Sequence, residues 1–191
     1  INAMETATLC ELPQVFQPVT FRIKQASETW EHRDAHALRR AVFCVEQGVF
    51  VGDDRDVIDE HARLLVACTS VAGECDQVIG TVRIHEAEPG VWWGSRLAVH
   101  PSFRHVGRIG ATLIRLAVCT ANAQGAQTFW AQVQSQNVPL FRRLNWTPVQ
   151  EDVLHGRPHT LMQADLGYYP ACEQPEWGFL THAVHQHGAR P

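Results

Sequence analysis

Arg104, His105, Gly107, Arg108 and Gly110 place cationic or titratable side chains and two glycines between the apolar triplet Leu97-Ala98-Val99 and a long apolar run. A helix N-terminus exposes unpaired N–H groups and carries partial positive charge. An anion seated there receives several backbone hydrogen bonds. Glycines let the backbone approach it closely, and arginine forks suit phosphate oxygens. These residue types in this order point to a diphosphate site rather than a plain solvated connector. The loop is not a P-loop, because G-x-x-x-x-G-K-[ST] is absent. Nor is it a dinucleotide fingerprint, which opens an early βαβ unit; this loop falls mid-chain, after a hairpin.

The candidate proton acceptors are Glu46, His85, Glu86 and His159. Glu46 follows an apolar helix, where partial burial would raise its pKa; its alternative is a salt bridge with Arg39 or Arg40. His85 and Glu86 end a hairpin strand near Pro89 and are expected to be solvated. His159 is either a proton acceptor or a loop hydrogen-bonding group. Trp92 and Trp93 are adjacent and face opposite sides of a strand, so one is expected in the core and the other can line a site. The H-x-x-H-x-H run that begins at His182 lacks a helix signal and reads as a His-rich tail, so no metal is expected.

These groups need a scaffold, and its elements are readable. Strands are expected over 19–26, 64–71, 77–88, 91–99 and 128–134, with Pro89-Gly90 turning the third into the fourth. A helix over 34–49 has Leu38, Val42 and Val45 at helical spacing and Asp34 as its cap. The acidic stretch 51–63 reads as a loop. Residues 109–123 are apolar around most of a helical circumference, which predicts a helix buried against a sheet and stopped by Gly125. A short helix over 135–146 and two strands within 147–166 follow; the last 25 residues show no period. The order implies an α/β (α+β) fold, a mixed sheet with helices on both faces. Residues 1–18 read as a tag remnant and arm, 19–166 as the domain, and 167–191 as a C-terminal extension.

Composition narrows the function classes. The chain has 191 residues, 45% hydrophobic and 19% charged, which is ordinary for one globular domain. A net charge of -4 gives no basis for bulk nucleic-acid binding. No apolar stretch is long enough to span a bilayer. Six cysteines without a C-x-x-C pair fit free thiols and a reducing, cytoplasmic setting.

At three places the chain resembles the GNAT superfamily of acyl-CoA-dependent N-acyltransferases. "LAVHPSFRHVGRIGATLI" is similar to the family's strand, R/Q-x-x-G-x-G/A loop and helix; "QNVPLFRRLNW" to its later helix and turn; "LRRAVFCVEQGVF" and "GRPHTLM" to its ElaA-type branch, itself related in fold to acyl-homoserine-lactone synthases. A weaker resemblance is to acyltransferase domains found with AIR-synthase-like proteins. The family resemblance implies a mostly antiparallel sheet splayed after the fourth strand. It also implies acetyl-CoA as co-substrate, with pantetheine along Leu97, Ala98 and Val99. The pyrophosphate would lie over Arg104, His105, Val106, Gly107, Arg108, Ile109 and Gly110, and Asn137 and Phe141 would lie near the coenzyme. Counted from Arg104 the loop is one residue longer than the family pattern. Phe141 stands where many members have a proton-donating Tyr, and a phenyl ring has no proton to give. Asn145 replaces the usual Gly, and Asn tolerates a positive φ. Direct acetyl transfer to a small amine is the expected reaction, with Glu46 ahead of His159 as the base. The alternatives are an acyl-CoA-binding module with little turnover and a structural partner of another enzyme. The expected partner is a small-molecule amine, with no nucleic acid and no membrane; a homodimer is allowed.

Overall fold

The computed structural model describes residues 20–106 and 108–183. The expectations for the N-terminal arm, for Gly107 and for the tail beyond residue 183 lie outside the described residues.

The strands are β1 (Thr20–Gln25), β2 (Arg63–Val71), β3 (Glu74–Glu88), β4 (Val91–Val99), β5 (Thr128–Gln134), β6 (Trp146–Leu154), β7 (Arg157–Ala164) and β8 (Phe179–His182). They form one sheet in the order β6-β7-β5-β4-β3-β2-β1-β8. Only β4–β5 is parallel among these neighbours. Helices α1 (Thr29–Arg40), α2 (Ile109–Ala123) and α3 (Val138–Arg143) complete the layers. The expected mixed, mostly antiparallel sheet is present.

Helix α2 keeps the expected boundaries. Its buried Ile109, Leu113, Leu116 and Ala117 share a core with Phe21, Ile23, Leu65, Ile79 and Ile84 on one face of the sheet. Helix α1 covers the other face, where Ala35 and Leu38 pack with Leu64, Val66, Cys68, Val78 and Ala98. It does not start at Asp34. It starts at Thr29 behind a capping box of Glu28 and Glu31. Glu31 is buried because Lys24 donates to it at 2.7 Å and the Ser27 N–H at 2.8 Å. An apolar period misses a first turn whose buried residue is an ion-paired carboxylate. Past Arg40 the helix widens into a π-helical stretch, Ala41–Glu46.

The predicted 135–146 helix is shorter: a 3-10 turn over Ser135–Asn137, then α3. Asn145, at φ 62°, adopts the left-handed turn expected of it. Strand β8 was not anticipated. It pairs antiparallel with β1 from Thr20↔His182 to Ile23↔Phe179. The chain reaches it through Gly178, where a Cβ would lie 1.8 Å from the Ile23 carbonyl oxygen, so only glycine fits.

Candidate active site

Strands β4 and β5 pair only from Val91↔Thr128 to Gly94↔Ala131. Beyond Gly94 they part, and β4 continues against β3 alone. The β3–β4 register shifts between Thr81 and Arg83, and Arg96 takes φ 56° in the bulge. A non-glycine residue there costs on the order of 1 kcal/mol or more. Its contacts hold it: Arg96 Nε donates to Asp54 Oδ2 at 3.0 Å, Nη2 to the Asp54 carbonyl at 3.0 Å, and the guanidinium lies 4.3 Å from the Phe50 ring centre. The bulge re-aims β4 and opens the split.

A cleft of about 590 Å³ occupies that split. Leu97, Ile114, Ala117, Asn137 and Phe141 line it toward α2 and α3; Phe43, Phe50, His85, Trp93, Gln132 and His159 line its other side. Beneath the latter lies a buried ionic floor. Arg39 is fully buried and donates from Nε to Asp54 at 2.8 Å and from Nη1 and Nη2 to Asp59 at 2.6 and 3.1 Å. Arg83 Nη1 donates to Asp56 at 2.6 Å and to Asp59 at 2.9 Å. With Arg96 this joins three arginines to three aspartates, so the formal charges cancel. Burial alone would raise the Asp59 pKa, but the Arg39 fork and the Asp56 N–H outweigh it and hold the carboxyl well below the usual range.

The basic loop leads from β4 to α2. Arg104 is not free: Nε donates to the Val99 carbonyl at 3.0 Å, and Nη1 and Nη2 form a fork on Glu46 at 2.6 and 2.7 Å. Glu46 is therefore more than a third exposed rather than buried at a helix end, and it bridges neither Arg39 nor Arg40. The Arg104 hydrogen bonds lower its pKa, against the expected rise. It is not among the cleft-lining residues. His105 and Arg108 are exposed, Val106 packs against the core, and Ile109 is buried. Arg108 is the left-handed N-cap of α2, and Gly110 sits in the first turn. Leu97 faces the cleft, Ala98 packs under α1, and Val99 packs toward α2.

Asn137 and Phe141 both reach the cleft, Phe141 edge-on to Trp146 with ring centres 5.0 Å apart. His159 is buried with Nδ1 2.9 Å from the Arg157 carbonyl oxygen. His85 was expected in solvent and instead lines the cleft, where burial first and then the Arg83 charge lower its pKa. Glu86 stays at the surface and accepts from the Gly90 N–H. Trp92 is core and Trp93 lines the cleft, dividing as expected. Sequence reasoning missed Asp54, Asp56, Asp59, Arg83, Arg96 and Phe50. The one signal for the aspartates was the acid spacing inside the 51–63 stretch, read only as a loop; Phe50, Arg83 and Arg96 had none.

A splayed β4–β5 pair with a basic loop opening the following helix is the geometry the resemblance implied. The model of the acetyltransferase (GNAT) family matches residues 8–146. The chain belongs to that family. A Bacillus subtilis (strain 168) protein classed as an acetyltransferase is 25% identical over 150 residues, covering 73% of this chain and 93% of its own. Escherichia coli ElaA, 18% identical, has the same fold at a TM-score of 0.63 over 76% of this chain and 98% of its own. The CoA-dependent acyl-homoserine lactone synthase BjaI, solved with SAM and isopentyl-CoA, is 16% identical at a TM-score of 0.62, covering 76% and 83%. This GNAT chain is an acyl-CoA-dependent N-acetyltransferase by family. Among the described residues no helix is long and apolar enough to cross a membrane.

Proposed function

We propose that this N-acetyltransferase moves the acetyl group of acetyl-CoA directly onto a small primary amine. The observation that carries the reading is the β4–β5 split, whose cleft reaches Leu97 of β4 and Ile114 and Ala117 of α2 on one side and an aromatic chamber on the other. Pantetheine takes the place of the missing β5 partner along Leu97–Val99. The pyrophosphate lies over the loop from Arg104 to Gly110, where unpaired N–H groups of the first α2 turn meet it. Asn137 and Phe141 flank the thioester end.

The amine enters from the α1 side of the sheet, past Phe43, Phe50 and Trp93. Its nitrogen attacks the thioester carbonyl, whose oxygen draws on β4 N–H groups that β5 no longer occupies. No covalent enzyme intermediate is needed. Phe141 supplies no proton to the leaving thiolate. His159, its Nδ1 tied to a carbonyl, presents its other ring nitrogen as a hydrogen-bonding group for the acceptor. Glu46 acts at a distance, by holding Arg104.

Calorimetry with acetyl-CoA and a thiol-release assay over a panel of primary amines test the reading. The expected result is binding together with amine-dependent thiol release. Binding without release identifies an acyl-CoA-binding module; no binding leaves only a structural role.

A further inference from the structure

Within the proposed transfer, on which this inference rests, we infer that His85 is the catalytic residue that takes the proton of the acceptor amine and passes it through His61 to solvent. His85 stands on β3 opposite Trp93, two positions before the β4 residue Ser95 where the strands part. It lines the cleft, and it also lines a second pocket of about 310 Å³ with His61, Arg63, Glu86 and Gln124. The rings of His61 and His85 meet edge to face, centres 5.9 Å apart, and His61 is exposed. His85 Nδ1 is buried without a partner, so the imidazole is not committed to a structural hydrogen bond there.

An acetyltransferase generates one proton per turnover from an ammonium substrate, and that proton must leave. The group that accepts it therefore needs a face on the cleft and a route out, and His85 has both. His159 faces the cleft but is enclosed, with Nδ1 held by the Arg157 carbonyl. Glu46 is occupied by Arg104.

The electrostatic setting agrees. The charged or titratable groups that bear on His85 are Arg83 on its own strand, His61 ahead of β2 and Asp56 in the covering loop. Burial, Arg83 and His61 disfavour the imidazolium and outweigh Asp56. An imidazolium formed on His85 is thus disfavoured and readily gives its proton on.

The step balances. R–NH₃⁺ gives one proton to a ring nitrogen of His85. The freed lone pair forms the C–N bond, the C–S bond breaks with its electron pair going to sulfur, and the second nitrogen proton goes to the thiolate. His85 then returns its proton by way of His61 to water. The products are the amide, the free thiol of CoA and one bulk proton.

The test uses the full chain and thiol release from acetyl-CoA, with the best of propylamine, putrescine and lysine as acceptor, over a range of pH. His85→Gln is expected to lower kcat/KM for the amine roughly 10²–10⁴-fold and to remove the acid limb of the profile. Acetyl-CoA affinity stays unchanged, and His85→Ala regains rate when imidazole is added. His61→Gln slows turnover only at low buffer concentration. Near-wild-type turnover by His85→Gln, with His159→Gln inactive, overturns the assignment. So does a loss that imidazole does not rescue and that leaves the pH profile unmoved, since that marks packing alone. A wild-type chain that binds acetyl-CoA but releases no thiol with any amine overturns the transferase reading, and His85 with it; a wild-type chain that turns over while His85→Gln matches it overturns His85 only.

Discussion

At Gly110 the proposed coenzyme contact can be tested apart from the fold. It lies in the first turn of α2, and among the described residues the nearest atom to a Cβ built there is Val99 Cγ2, 3.9 Å away. Alanine therefore fits the folded chain without displacement. Removing a glycine from a conformation alanine can adopt stabilises by about 0.4–1 kcal/mol. In a chain of this size that raises Tm by roughly 1–4 °C. Gly110→Asp is also tolerated by the fold, because a carboxylate in the first turn of a helix gains about 0.3–1 kcal/mol from the dipole. Coenzyme binding moves the other way. A methyl group over the α2 N–H groups holds a pyrophosphate off its donors, and losing about 1.4 kcal/mol weakens binding about tenfold. An aspartate about 5 Å from a phosphate charge adds roughly 3 kcal/mol of repulsion per pair at an effective dielectric of about 20. Screening by salt reduces this, which leaves a further loss of about tenfold to a hundredfold. Calorimetry gives the affinities, and melting with and without acetyl-CoA gives stability and mass-action stabilisation together. Two variants that melt as expected and still bind acetyl-CoA like the wild type would refute the placement of the pyrophosphate.

The ionic floor and two half-buried histidines give two further expectations. Arg39→Met strands Asp54 and Asp59 without their main partner; the loss of about 3–5 kcal/mol expected for a broken buried pair lowers Tm by roughly 6–20 °C. A urea titration showing less than about 1 kcal/mol would mean that Arg83 and Arg96 suffice. Stability should also fall with acid in two ranges. His36 and His85 have lowered pKa values, mainly through burial, so the unfolded chain takes up protons first and stability declines below about pH 6.5. Asp59 and Glu31 are held down by their cationic partners against burial, so their contribution is full above about pH 5 and is lost as pH falls below that. A Tm that stays flat from neutral pH to about pH 3 contradicts both assignments.

The parts of the fold legible in the sequence are those made by local pattern. Helix α2 is apolar around most of its circumference, and β4 and β5 are short apolar runs bounded by turns, so period and punctuation find them. Asn145 shows the same at one residue: a polar side chain that tolerates a positive φ stands where the turn needs one. Helix α1 shows where pattern fails. Its first turn is organised by a buried Lys24–Glu31 pair and a capping box, and a hydrophobic pattern reads those residues as surface. Strand β8 fails for another reason. Four residues make a strand because β1 has a free edge and Gly178 allows a close approach, and both facts belong to the assembled sheet.

The site divides along the same line. The loop proposed to bind the anion is a local device, a few residues that open one helix, and so its residue types alone suggest it. The side of the cleft proposed for the acceptor rests on Arg39, Asp54, Asp56, Asp59, Arg83 and Arg96, which meet only when α1, the covering loop, β3 and β4 are in place. Each of these residues alone reads as a solvated charge, and only the folded arrangement shows that every arginine has a carboxylate. Glu46 is the converse case. It stands at the end of the stretch that walls the acceptor side, which made it attractive as a base, but the Arg104 fork reaches it across 58 positions of sequence and takes both carboxylate oxygens. His85 was discounted because strand ends near a Pro-Gly turn are ordinarily wet. Its place beside the split instead gives it a face on the cleft, where burial, Arg83 and His61 disfavour the imidazolium against the pull of Asp56.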